Sequence, residues 1–148
     1  MPGIIVGIDG SGHSRRALEW AIGEAAVRRA PLTVLTVHQE VAAAGYWGYP
    51  VPYPGDDDLL EQDRKMALEE TDSALEKADR GSRPPSVTVR AVTGLPAEAL
   101  LQAAEGADML VVGSRGNGGF KRLLLGSVGV QVTHHAHCPV VVIPALDI

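Results

Sequence analysis

The chain has 148 residues, 45% of them apolar, which suffices for one ordinary domain whose core needs neither a disulfide nor a metal. It carries 13 basic and 18 acidic residues, a net charge of −5, and the basic residues are scattered in pairs, which argues against nucleic acid as a primary partner. A single cysteine, Cys138, rules out an internal disulfide and fits a reducing compartment.

Met1-Pro2-Gly3 runs into an apolar stretch without a basic leader region, and no apolar run approaches the roughly 18 residues that cross a bilayer. A cytoplasmic protein free of membrane is therefore expected. Gly3–Ile8 reads as a buried strand closed by the tight turn Asp9-Gly10-Ser11-Gly12. Leu18, Ala21, Ile22 and Ala25 then recur at the spacing of one helix face, with Ser11 or Ser14 as the cap. Pro31 breaks that helix, and Leu32–Val37 gives a second strand rich in β-branched residues.

From Glu40 to Gly55 most of the aromatics sit among prolines and glycines, a composition that predicts a long surface loop. Its aromatic part, Tyr46–Tyr53, suits a cover over a ligand or a surface for a protein partner. Asp56–Arg80 returns to a helical pattern, with three aspartates at the end that favours negative charge. A third strand follows at Val87–Val92, then a helix with Pro96 near its start and Ala99, Leu100 and Ala103 facing inward. Asp108–Val112 is the fourth strand. The last helix sets Val128, Val132 and His135 on one face, and Val140–Ile143 is the fifth strand. Regular alternation of strand and helix, without internal repeat, predicts one domain over residues 1–148: a single-domain open five-stranded parallel α/β sheet with helices on both faces.

Ligands of such sheets settle beyond the carboxyl ends of the strands, where the winding reverses, here expected between the first and fourth strands. Each of these ends in a glycine turn. After the fourth comes Gly113–Ser127, reading GSRGNGGFKRLLLGS, with Arg115, Lys121 and Arg122 and no acid. A strand that opens into glycines and closes on a helix start offers unobstructed N–H groups and the positive end of a helix dipole, the physics of a phosphate cradle. After the first strand, Asp9 is a candidate for holding a ribose or a bridging divalent cation, or for capping the first helix. The second strand's end near Val37 is the natural wall for a base.

Competing motifs fail. No Gly-Lys-Ser/Thr ends a suitable loop, and in Gly10-Ser11-Gly12-His13-Ser14-Arg15 the arginine stands where a dinucleotide fingerprint needs its third glycine. His13 is the weak candidate for a helper in phosphoryl transfer. His134, His135 and His137 resemble a metal cluster, but no cysteine or acid pattern completes it, and histidines suit the last turn of a helix. Cys138, next to a very apolar strand, reads as a small buried thiol.

The pattern Gly-x2-Gly-x9-Gly-Ser at Gly113, Gly116, Gly126 and Ser127 resembles that of the universal stress protein family, in its ATP-binding branch. The opening IIVGIDGS, the segment ADMLVVGSRG and the ending HCPVVVIP are similar to the same family. The resemblance implies an adenine nucleotide alpha hydrolase-like, Rossmann-like fold with strand order 3-2-1-4-5. It implies an ATP site lined by Asp9, Val37, Gly113, Arg115, Gly116, Gly126, Ser127 and Val128, with Gly10, Ser11 and Ser114 beside them in the two turns. ATP would carry Mg, held indirectly through Asp9. A homodimer paired through Val140–Ile143 is also implied. The function expected is that of an ATP-binding regulator of the stress response; a module of the same fold with an empty site, a slow ATPase and an enzyme acting on a nucleotide-activated substrate are the alternatives.

Overall fold

The apolar run near the N-terminus forms β1 (Ile4–Ile8), and because both its faces must be covered it becomes the middle of the sheet. In the computed structural model, residues 3–39, 43–44, 50–51, 56–114 and 127–144 are described. Helix α1 (Gly12–Arg28) leads to β2 (Leu32–His38), and α2 (Asp56–Lys77) leads to β3 (Val87–Thr93). Helix α3 (Pro96–Ala103) precedes β4 (Met109–Gly113), and α4 (Ser127–His135) precedes β5 (Val140–Ile143). The five strands are parallel, in the order β3-β2-β1-β4-β5. This is the expected 3-2-1-4-5 sheet.

The winding has two directions, and each fills one face. Ile4, Val6 and Ile8 of β1 pack with Leu18, Ile22 and Ala25 of α1 and with Ala67 and Ala74 of α2. Ile5, Leu35, Leu110 and Val112 face the other way, against Leu100 of α3 and Val132 of α4. Ile4, Leu18, Ile22, Leu32, Leu35 and Leu110 are essentially inaccessible, each contributing about 1.5–3 kcal/mol relative to exposure. The α1 face read from spacing is the observed one, extended by Ser14 and Ala17.

Other expectations need adjustment. On α3 the deeply buried residues are Ala97 and Leu100, while Ala99 and Ala103 are only half-buried. On α4 Val132 is buried but His135 is exposed, because the helix ends there and its last turn projects past the sheet. The proline-rich excursion is not wholly irregular: Ala43–Ala44 pairs antiparallel with Pro50–Val51. The remainder of Tyr46–Tyr53 lies outside the described residues.

The first crossover ends tightly. Arg29 takes a left-handed conformation (φ 54°) and its N–H reaches back to the carbonyls of Ala25 and Ala26, closing α1 before Pro31. The Pro31 carbonyl then accepts from the Ile4 N–H at 2.9 Å, bringing the chain against Gly3 so closely that a Cβ there would lie 2.4 Å from that oxygen. Gly3→Ala is expected to destabilise the fold by about 1–3 kcal/mol, seen as a lower urea midpoint with an unchanged slope.

Candidate functional site

Where β1 stops, the chain turns through a set of short polar contacts. The Ser11 N–H donates to Asp9 Oδ1 (2.9 Å), and the Asp9 N–H donates to Ser14 Oγ (3.2 Å). Ser14 in turn donates its N–H to Ser11 Oγ (3.2 Å) and its hydroxyl to the Ser11 carbonyl (3.1 Å). Ser11 is thus the N-cap of α1, whereas the Asp9 carboxylate braces the turn that precedes it. Gly10 sits at φ +83°, a conformation that side chains disfavour, and α2 comes over it with Met66 Cε 3.3 Å from where a Cβ would be.

β2 continues beyond its neighbour. Its last pairing with β1 is Thr36 to Ile8, whereas Val37 and His38 still pair with Val92 and Thr93 of β3. On the other side β4 ends at Gly113, and the Ser114 N–H is tied to the Ile143 carbonyl at 2.9 Å. Between these strand ends the described residues leave a crevice of about 590 Å³. That volume is typical of small-molecule sites.

Asp9, Val37, Gly113, Ser127 and Val128 line this crevice, as the sequence suggested. Gly10 and Ser11 belong to the turn at its rim without lining it, and Ser114 is buried behind Gly113. Arg115, Gly116 and Gly126, like Lys121 and Arg122, lie outside the described residues. The first turn of α4, Ser127 to Gly129, borders the cavity, so N–H groups that no helix carbonyl can satisfy stand at its edge with the positive end of the helix dipole. His13 is half-buried on α1 and does not line the cavity. His134 and His135 are exposed at the far end of α4, and His137 Nδ1 lies 3.1 Å from Glu105 Oε1. Cys138 packs at the margin of the second core, where desolvation pushes its thiol up.

The structure adds groups that sequence reasoning passed over. From α2 come Asp63 and Met66, from β2 and the residue after it Thr36 and Gln39, and from the start of α3 Leu95 and Pro96. Their signal was present but faint: Asp63, Met66 and Glu70 share one side of a helix whose inward residues are otherwise small. Asp63 is held by His38, whose Nδ1 lies 2.9 Å from Asp63 Oδ2. One turn past Met66, Glu70 approaches Arg15 and Asp9. Burial chiefly raises the pKa of its carboxyl, Asp9 adds to this and Arg15 opposes it. Its Oε2 is the one buried side-chain oxygen among the described residues without a hydrogen bond. Arg15 itself is engaged by Ser73 Oγ at 2.8 Å.

A parallel sheet with helices on both faces, open at its reversal point between a glycine turn and a helix N-terminus, defines a doubly wound α/β protein with a small-molecule crevice. The sequence model of the universal stress protein family matches residues 2–144. Universal stress protein Rv2005c of Mycobacterium tuberculosis is 36% identical over 146 residues, 98% of this chain and 48% of that protein. The chain spans about half the length of the curated relatives it matches. Universal stress protein UspA from Lactobacillus plantarum shares the fold with a TM-score of 0.72 at 24% identity, over 96% of this chain and 97% of that one. A universal stress protein solved in complex with cAMP is 27% identical, with a TM-score of 0.66 over 97% of this chain and 96% of that one. The chain belongs to the universal stress protein family. None of the helices among the described residues is long and apolar enough to cross a membrane.

Because the folded state raises the pKa of Glu70, the stability that group contributes is full below the ordinary carboxylate pKa of 4.5 and is lost as pH rises through the raised value. Glu70→Gln is therefore expected to be more stable than the parent at neutral pH. The two urea midpoints should converge as pH falls below about 4, where the parent side chain becomes mostly neutral in both states.

Proposed function

We propose that this chain binds an adenine nucleotide, ATP above all, and acts as a homodimeric cytoplasmic regulator of the stress response rather than as a dedicated enzyme. The observation that carries this is the crevice at the sheet's reversal point, bounded by Gly113 on one side and by Asp9 and Val37 on the other, with the start of α4 at its edge. The residues between, 115–126, supply the rest of the Gly-x2-Gly-x9-Gly-Ser pattern together with Arg115, Lys121 and Arg122. In this reading the phosphates take main-chain N–H groups of the Gly113–Ser127 stretch other than that of Ser114, which is held by Ile143, and the base lies against Val37. The complex of a 27% identical family member with cAMP supports an adenine nucleotide in such a site.

The donor set also suits Mg arriving with the phosphates. A hard divalent cation takes oxygen ligands and keeps much of its water, and the Asp9 carboxylate lines the crevice where it can hold that hydrated ion. Magnesium would neutralise phosphate charge there. This chain's own contribution is orientation: the Ser11 N–H fixes one Asp9 oxygen, so the carboxylate enters the site in a set direction.

Gly116→Asp would put a side chain and a negative charge into the proposed cradle. Its ATP affinity should fall at least tenfold, about 1.4 kcal/mol, by calorimetry, with the melting temperature of the unliganded protein retained; unchanged affinity would move the site elsewhere. A chain that takes up no nucleotide at all would instead be the interaction module with an empty site.

Among the described residues β5 pairs on one edge, with β4, and an apolar edge of this kind invites a second strand. Sedimentation at micromolar concentration should give about twice the monomer mass of 15.5 kDa, and a monomer would remove this part of the proposal.

A further inference from the structure

The nucleotide reading leaves a dyad at the β2 end of the crevice without a task. His38 is 8% exposed at the end of an inward-facing series, Leu32, Val34, Thr36, His38. Its main chain is anchored in the sheet, where its carbonyl accepts the Gly94 N–H at 3.0 Å. A carboxylate oxygen can only accept, so the contact with Asp63 Oδ2 requires the proton on His38 Nδ1. The imidazole therefore sets the direction of the carboxylate. Asp63 is 32% exposed and lines the crevice, and its neighbour Arg64 is turned away to Glu61, at 2.8 Å. The structure has thus aimed an acceptor into the cavity, steered by a side chain that is itself buried.

A second acceptor lies alongside. Carbonyls alternate in direction along a strand, and the His38 carbonyl points to β3. The Val37 carbonyl points the other way, toward the side on which β1 has ended at Ile8. A base resting against Val37 would meet one acceptor from the main chain and one from Asp63.

We infer that Asp63 is a specificity-determining residue of the nucleotide site, accepting a hydrogen bond from the exocyclic amino group of the base, with His38 as its positioning residue. This rests on the adenine-nucleotide reading and goes beyond it. An amino group has two hydrogens for the two acceptors. A base with a carbonyl at that position, such as hypoxanthine, would set oxygen against oxygen and leave buried acceptors unpaired, the circumstance in which a polar site discriminates most strongly. Gln39 lines the same end, but its amide can donate or accept and so does not choose between the two.

AMP and IMP differ at this position of the base, and calorimetry with both reads the inference directly. The parent protein should bind AMP at least tenfold more tightly than IMP. In Asp63→Asn the new amide can turn a donor toward the carbonyl, and the ratio should fall to within about threefold. Asp63→Ala should lose AMP affinity without gaining any for IMP. His38→Asn, which keeps a donor where Nδ1 stands, should retain the parent ratio, whereas His38→Leu should narrow it; a purely structural histidine would alter the melting temperature and leave the ratio alone. AMP binding with an unchanged ratio in both Asp63 variants overturns the role of Asp63 while the nucleotide site stands. Failure of the parent to bind either AMP or ATP overturns the nucleotide reading and this inference with it.

Discussion

The reversal of winding between β1 and β4 is the constraint on which the rest of this molecule depends. Right-handed crossovers send α1 and α2 to one face and α3 and α4 to the other, so the two connections that leave the sheet's centre diverge. Among the described residues a crevice is left above their strand ends. A cavity is therefore a product of topology, and its chemistry is whatever the four or five residues after each strand provide.

Those residues are arranged to be stiff. The Asp9 to Ser14 turn satisfies its own polar groups through short contacts, leaving little freedom in the direction of the Asp9 carboxylate. Opposite it, Ser114 is buried and its N–H is anchored to Ile143, so the chain leaves β4 from a fixed point. A site in which both rims are pre-set loses less entropy on binding. In the same neighbourhood burial disfavours the charged form of the Glu70 carboxyl, Arg15 opposes this, Asp9 adds to it, and Oε2 makes no hydrogen bond. Such a cost near a cavity is what a protein accepts when the site, and not only the core, has shaped the sequence.

Membership of the universal stress protein family accounts for the sheet order, and the α2 side of the crevice adds a contact of its own. There the chain sets a buried histidine under an aspartate, a pairing visible only when β2 and α2 are brought together across 25 residues of sequence. The aromatic excursion between β2 and α2 connects the same two elements, so whatever it does, its ends are tied to this wall of the cavity.

Much of the fold was legible from local pattern. Strands with apolar runs, the Leu18, Ala21, Ile22, Ala25 face and the breaks at Pro31 and Pro96 follow from hydrophobic period and backbone chemistry, which neighbours in sequence carry by themselves. Gly113 at the end of β4 and Asp9 after β1 were legible for the same reason: they sit at fixed offsets from strand ends. Only the tertiary structure decided that Ser11 rather than Asp9 caps α1, that His135 leaves the core face of its helix, and that Asp63, Met66 and Gln39 share a cavity with Val37. These depend on where one element stops relative to another, and no periodicity within a single element encodes that distance.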